Sequence, residues 1–251
     1  MEVATVESTL TEMHSPKQRV VRTALTWLIH GLLKTCTRFE VENAENFPTA
    51  GPLLVVGNHF SFLDPVAVIG GSPWQLDFIG GSQMPFAPPS VRWLARVYGI
   101  LPVHRGSVSR QTLLTSNAIL KNNGILGIFP EGGNWASVLR PARAGAAYLA
   151  TRSQAQILPI GLDGLTEVFP MLRQGKRARV RMNVGKPFGP FYVSDRGETN
   201  RQRLEEIGHE IMRQISLLIP PERRGHYSTD PAIRAAAQGT EIYPWDDHPE
   251  S

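Results

Sequence analysis

Between residues 19 and 37 apolar positions recur at steps of three and four: Val21, Leu25, Leu28, Leu32 and Cys36, widened by Ile29 and Leu33. That period predicts an amphipathic helix over 19–38. Arg19, Arg22, Lys34 and Arg38 put positive charge around the stripe, and Trp27 suits a boundary between polar and apolar surroundings. Such a helix can lie in a membrane interface or pack its stripe on a protein core, and one face can do each. Residues 1–18 are polar and partly acidic and read as a flexible tail.

The pattern then changes to short apolar runs. Residues 51–57 (GPLLVVG) and 125–129 (ILGIF) are compact and bounded by turn residues, as expected of buried central strands. Residues 39–41, 76–79, 100–103 and 155–160 read as further strands. Residues 177–184 alternate, with Ala178, Val180, Met182 and Val184 on one side and arginines on the other. Helical stretches lie between them. One covers 65–70, with Asp64 placed to cap it and Pro65 at its first position. Others cover 90–97, a stretch capped by Ser107 or Ser109 that runs to about 122, 143–152 and 198–218, the last stopped by Pro220-Pro221. Residues 80–89 read as a Gly/Pro-rich loop. Residues 227–251 have little periodicity and form an acidic tail that touches the surface at Ile242, Tyr243 and Trp245. This alternation predicts an α/β fold: three layers, αβα, around a mixed, mainly parallel sheet, preceded by the amphipathic helix. A single domain spans 39–226.

Charge narrows the choice of partners. The net charge is +4. The tail from 227 holds five acids against Arg234, a net of −4, so the rest carries +8. A basic body suits an anionic lipid surface or a phosphate-bearing substrate. Nucleic acid is not expected, because zinc-finger spacing and RNA-binding aromatic motifs are lacking. The one cysteine, Cys36, allows neither an internal disulfide nor a cysteine metal cluster, and no metal is expected. No run reaches the roughly 18–20 apolar residues of a membrane span, and the start is unlike a signal peptide. The expected location is peripheral, on the cytoplasmic face of a membrane.

Three polar clusters follow apolar strands: Asn58–His59 through Asp64, His104–Arg105, and Glu131. Ligands in α/β sheets bind beyond the carboxyl ends of strands, so these clusters can share one cleft. His59 is a natural general base. A strand-to-helix turn can return Asp64 to one imidazole nitrogen, which fixes the tautomer and leaves the other nitrogen to take a hydroxyl proton. An acceptor hydroxyl then attacks a thioester directly. On spacing alone, a His-x-x-x-x-Asp pair is also what an ordinary surface hydrogen bond looks like.

Four blocks in order make the chain resemble the glycerolipid acyltransferases that acylate lysophosphatidic acid and related acceptors. Asn58, His59, Ser61 and Asp64 match Asn-His-x-Ser-x-x-Asp. YGILPVHRG, with Gly99 and Arg105, matches a second block. Phe129, Pro130, Glu131 and Gly132 match the start of Phe-Pro-Glu-Gly-Thr-Arg-Ser. Ile157-Leu158-Pro159-Ile160 matches an apolar fourth block. The resemblance covers residues 35–222. It implies an O-acyltransferase of the 1-acylglycerol-3-phosphate type, with His59 as base and Asp64 as its orienter. It implies acyl-CoA or acylated carrier protein as donor substrate, no tightly bound cofactor, a lipid acceptor and a membrane surface as partners. Asn58, Ser61, Arg105 and the turn Phe129, Pro130, Glu131, Gly132, Gly133 would bind substrate.

One departure stands out. Where the family has Thr-Arg-Ser, this chain has Gly133-Asn134-Trp135. Asn134 cannot replace the arginine's charge. Arg140 and Arg143 are candidates to reach the same phosphate; otherwise the acceptor is another lysolipid or a glycolipid. Glu131, wrongly charged for a phosphate, is expected to order its turn, pair with an arginine or bind an acceptor hydroxyl. Trp135 suits packing on a sugar or lipid chain, or a place in the core. Phe60, Phe62, Leu63, Phe78, Met84, Phe86 and Trp93 are candidates for an acyl groove, most of them serving the core. A His/Asp thioester hydrolase and a non-catalytic lipid-binding protein are the competing readings.

Overall fold

The structure, a computed structural model, describes residues 2–81, 92–103, 109–192, 198–242 and 244. The strands are β1 (Thr37–Glu42), β2 (Leu53–Gly57), β3 (Asp77–Gly81), β4 (Leu101–Val103), β5 (Ile125–Ile128), β6 (Gln156–Asp163) and β7 (Ala178–Val184). They form one sheet in the order β1-β7-β6-β2-β5-β3-β4. Every pairing is parallel except β6 with β7, so β1 and β7 run opposite to the rest. The expected α/β architecture with a mixed, mainly parallel sheet is therefore the one observed.

Helices α1 (Glu2–Met13), α2 (Pro16–Cys36), α3 (Asp64–Gly71), α4 (Arg92–Tyr98), α5 (Arg110–Lys121), α6 (Ala144–Ser153), α7 (Val168–Arg173), α8 (Glu198–Ser216) and α9 (Pro231–Ala237) connect or flank the strands. The sheet separates two cores. On one side Leu54, Val56, Leu126 and Ile128 meet α1, α5, α6 and α8. On the other side Leu53, Val55, Ile125 and the buried row Ala178, Val180, Met182, Val184 meet α2, α3, α4 and α7. The central strands carry apolar side chains both ways because both faces are covered. The alternation of β7 follows from its single buried face.

Two expectations at the ends of the chain are corrected. Residues 2–13 are helical rather than a flexible tail, because Val6, Leu10 and Met13 share one side and pack inward. Near the other end, Asp230 caps α9 by accepting from Ala232 N, which gives the acidic tail a helical turn. Helix α7 had no counterpart in the sequence reading. The expected loop at 80–89 lies outside the described residues, apart from its first two positions at the end of β3.

Helix α2 divides the apolar stripe between two faces. Leu25, Ile29 and Leu33 pack on the second core, whereas Val20, Trp27, Leu28 and Leu32 are 69%, 73%, 56% and 52% exposed. Arg22, expected beside the stripe as free charge, is buried instead. Its Nη1 donates to Asp77 Oδ1 (2.7 Å) and its Nε to Tyr98 O (2.8 Å). His14 Nε2 lies 2.8 Å from the other carboxylate oxygen. Burial pushes the Asp77 carboxyl up, but the His14 hydrogen bond and the Arg22 charge outweigh it and hold the group below its ordinary value. These bonds fasten α2 to the sheet along its inner side and leave its outer side clear.

Candidate active site

Strands β2, β5 and β6 end on the same side of the sheet, and the segments that leave them build the site. The chain leaves β2 through Asn58. Its Nδ2 donates to Leu162 O (2.9 Å), and its Oδ1 accepts from Leu162 N (2.7 Å). Asn58 is fully buried, so its amide extends the β2–β6 pairing and is not presented to a substrate. His59 follows, half turned out, with its side chain 16% exposed.

The turn 59–64 is closed by one carboxylate oxygen. Asp64 Oδ2 accepts from His59 Nδ1 (2.9 Å), Phe60 N (2.7 Å) and Ser61 N (2.7 Å). Asp64 thus begins α3 but does not cap it; its carboxylate points back along the turn. Ser61 Oγ accepts from Leu63 N (3.2 Å) and is buried, so Ser61 shapes the turn. A carboxylate on Nδ1 puts the proton there and leaves Nε2 as the basic nitrogen. Burial raises the Asp64 carboxyl above its ordinary value, and the His59 contact and the two amides offset part of that rise.

The imidazole is also fixed from behind. Phe129 stacks on it, with ring centroids 4.2 Å apart and an interplanar angle of 13°. Phe78 backs Phe129 at 5.2 Å. Gly127 makes room for Phe78, since a Cβ at 127 would lie 2.6 Å from the Phe78 ring. Two apolar rings behind the imidazole therefore set the plane of His59.

The turn after β5 brings in Glu131 and explains its charge. Glu131 Oε1 accepts from His59 N (2.7 Å). Its Oε2 accepts from Arg140 N (3.2 Å) and Arg140 Nε (3.0 Å). Both residues are buried. Burial pushes the Glu131 carboxyl up to about 7 and the Arg140 guanidinium down, each partly offset by the other. Taking two charges out of water is costly even when they are paired; what this pair supplies is placement of the His59 backbone. Arg140 Nη2 donates to Gly133 O. The guanidinium stacks on Trp135, 3.8 Å from the ring centroid.

Arg140 is therefore too buried to grip a phosphate, and its Nε and Nη2 are committed to Glu131 and Gly133. Arg143 is different. It is exposed and its side chain lies against Gly132, where a Cβ would meet Arg143 Cδ at 2.7 Å. Its amide donates to Pro130 O (2.8 Å), which ties the start of α6 to the Phe129–Gly133 turn. Arg105 and His104 lie outside the described residues.

The candidate groove residues scatter. Phe78 is buried behind the site, and Phe60 and Leu63 pack partly into the two cores. Phe62 stacks on Phe169 of α7 at 5.8 Å, and Phe169 is 44% exposed. Trp93 is 54% exposed on α4, and Met84 and Phe86 lie outside the described residues. Sequence reasoning missed the contribution of α7, a helix too short to leave a period; it expected an arginine among the partners of Glu131, and the structure identifies it as Arg140, across a loop.

Known proteins resemble this chain over the elements that carry the site. The family model described as Acyltransferase matches residues 38–163, from β1 through the end of β6. The 1-acyl-sn-glycerol-3-phosphate acyltransferase of Bacillus subtilis (strain 168) is 23% identical over 149 residues, 59% of this chain and 72% of that protein. The 1-acyl-sn-glycerol-3-phosphate acyltransferase alpha of Homo sapiens is 28% identical over 135 residues, 53% of this chain and 48% of that one. The chloroplastic BAT2 enzyme of Brassica napus, with the same printed activity, is 27% identical over 155 residues, 59% of this chain and 44% of that one. The match thus spans less than half of the human and plant relatives. The crystal structure of the 1-acyl-sn-glycerophosphate acyltransferase PlsC from Thermotoga maritima shares the fold, with a TM-score of 0.52 and 20% identity over 82% of this chain and 86% of that one. On the family match, which takes in the His59–Asp64 turn and the Glu131 turn, this chain belongs to the glycerolipid acyltransferase family.

Proposed function

We propose that this protein is an O-acyltransferase that moves a fatty acyl group from acyl-CoA or acylated carrier protein to a hydroxyl of a lysophospholipid such as 1-acylglycerol-3-phosphate. The observation that carries this reading is the His59 Nδ1 to Asp64 Oδ2 bond of 2.9 Å at the end of β2. It orients a base without supplying a protein nucleophile. Cys36 sits at the far end of α2, and the Ser61 hydroxyl is committed to its own turn.

In the reaction His59 Nε2 takes the proton of the acceptor hydroxyl as its oxygen attacks the thioester carbonyl. The tetrahedral adduct collapses, the carbon–sulfur bond breaks, and the imidazolium returns the proton to the departing thiolate. Asp64 stabilises that imidazolium. Arg143, beside Gly132, takes the acceptor phosphate in place of the family's third-block arginine, and Arg105 remains a second expected ligand for it. The Phe62–Phe169 pair offers an apolar surface to an acyl chain at the edge of the catalytic turn.

Labelled acyl-CoA and acylated carrier protein, each offered with 1-acylglycerol-3-phosphate, other lysophospholipids and glycolipids, test the assignment. Acylation of the phosphate-bearing acceptor is expected, with Arg143→Ala raising its KM about tenfold or more, the equivalent of one charge-assisted contact. Equal KM values for wild type and Arg143→Ala would remove Arg143 from the site, and preference for an uncharged acceptor would overturn the lysophospholipid reading.

The outer side of α2 supplies the membrane contact in this reading. No described helix is long and apolar enough to cross a membrane, but Val20, Trp27, Leu28 and Leu32 form an exposed apolar side, with Lys17 and Lys34 exposed near its ends. That composition fits a helix lying in an anionic lipid interface. With acyl-CoA or acylated carrier protein as donor, the cytoplasmic face is the side of the membrane that fits this reading. Replacing Trp27 and Leu28 by serine is expected to lower sedimentation with phosphatidylglycerol-containing vesicles about tenfold or more, given the apolar area withdrawn. Unchanged sedimentation would exclude α2 as the docking element.

A further inference from the structure

After α8 the chain returns across the loop that joins β5 to α6. Leu139 N donates to Arg223 O (2.9 Å), and His226 N donates to Leu139 O (3.1 Å). Arg223 Nη1 donates to Ser137 O (3.1 Å). Gly225 makes the approach feasible: its φ is +47°, and a Cβ there would lie 2.3 Å from Leu139 O. Further on, Trp135 Nε1 donates to Thr240 O (2.9 Å). His226 Nε2, 3.1 Å from Glu241 Oε2, pins the end of this return segment to its beginning.

The loop under the segment is built around Trp135. Gly133 has no room for a side chain, since a Cβ would lie 2.6 Å from the indole ring. Arg140 stacks on the other part of the same assembly, 3.8 Å from the indole centroid, and its Nη2 donates to Gly133 O. From Arg140 the contacts run to Glu131 Oε2, and from Glu131 Oε1 to the amide of His59. One continuous series of contacts therefore joins the Thr240 carbonyl to the backbone of the proposed base.

We infer that residues 220–241 form a clasp that positions His59 through Trp135, Arg140 and Glu131. The clasp rests on the reading of His59 as the base. Trp135, Arg140 and Glu131 are positioning residues in it, since none of them is required to touch substrate. It also gives the departure at 133–135 a physical reason. The residues that replace Thr-Arg-Ser seat a tryptophan that the C-terminal segment holds, and the glycine is what the tryptophan needs. Catalytic geometry is demanding: a displacement of about 1 Å can cost about 10²-fold in rate. A backbone hydrogen bond held by a buried carboxylate is a suitable way to prevent it.

The test uses the full-length chain with Gly225→Ala, Trp135→Ala and Trp135→Phe. Hydrogen exchange is followed by mass spectrometry in the peptide spanning 57–64, beside kcat and KM. Gly225→Ala pries the segment from Leu139, and Trp135→Ala removes both the indole bond and the stacking. Both are expected to speed exchange at the His59 amide about tenfold and to lower kcat about tenfold, with KM within about twofold of wild type. Trp135→Phe keeps an aromatic ring for Arg140 but loses the N–H that holds Thr240 O, so it is expected to fall between wild type and Trp135→Ala in both readouts. Opening confined to residues 135–142 and 223–240, with the 57–64 peptide unchanged, would overturn the clasp, as would faster exchange at His59 without a fall in kcat. Should Gly225→Ala fail to fold, the two Trp135 variants decide between these outcomes. If the wild type transfers no acyl group, the functional reading fails, and the exchange measurement alone then accepts or rejects the link from the clasp to the His59 backbone.

Discussion

His59→Ala lowers kcat for acyl transfer by about 10²–10⁴-fold, the range that a positioned general base supplies, and leaves KM for the donor nearly unchanged. The side chain lies outside both cores, so the variant should fold, and it should lose less stability than a change at Asp64, whose carboxylate closes the whole turn. Asp64→Asn behaves differently. It weakens the partner of Nδ1 and also disturbs the oxygen that accepts from Phe60 N and Ser61 N. Both kcat and stability should therefore fall. Steady-state kinetics with thermal melts separates the two variants, and an undiminished rate in His59→Ala would mean that the base lies elsewhere.

Arg140→Ala destabilises the protein by about 3–5 kcal/mol, the usual cost of removing one member of a buried ion pair. Arg140 is 1% exposed and Glu131 likewise, so solvent gives little relief, and Glu131 is left to bind a proton. Glu131→Gln with Arg140→Met should cost less than Arg140→Ala alone, because no buried charge is stranded. That double variant should still lose kcat, since a neutral amide oxygen with no arginine to fix it holds the His59 N–H less firmly than the anchored carboxylate does. Denaturant melts and kinetics on the same samples check the dissociation of stability from rate, and a double variant with wild-type kcat would show that the pair does not position His59.

The same pair carries a pH signature. Burial raises the Glu131 carboxyl from 4.5 to about 7 in the folded chain. An acid with a raised folded value contributes stability that is full below 4.5 and is lost as pH rises through about 7. Asp64, also raised by burial, adds in the same direction. Glu131→Gln should flatten that part of the stability profile.

Strong local patterns made much of this legible in the sequence. The uninterrupted apolar run at 53–56 marks a strand covered on both faces, and the alternation of 178–184 marks one covered on a single face. His59 and Asp64 could be paired because the turn between a buried strand and a proline-started helix is short. The rest depends on partners distant in sequence. Arg22 read as surface charge because nothing near it announces Asp77, which is 55 residues away. Asn58 read as a substrate ligand because its partner, Leu162, belongs to a strand 104 residues later. Arg140 read as a phosphate ligand until the loop folded it onto Glu131 and Trp135. The helical period at Val6, Leu10 and Met13 was hidden by polar residues on the other side of α1, and α7 has only 6 residues to declare itself.

Direct attack by an acceptor hydroxyl, with His59 as base, is the central claim. Labelled acyl-CoA is mixed with the protein with and without 1-acylglycerol-3-phosphate, and label is followed in lipid ester, in free fatty acid and on the intact protein by mass spectrometry. The account expects ester only when the acceptor is present, loss of that ester in His59→Ala, and an unmodified protein throughout. A covalent acyl–protein adduct, or His59-dependent release of free fatty acid without acceptor, would contradict it.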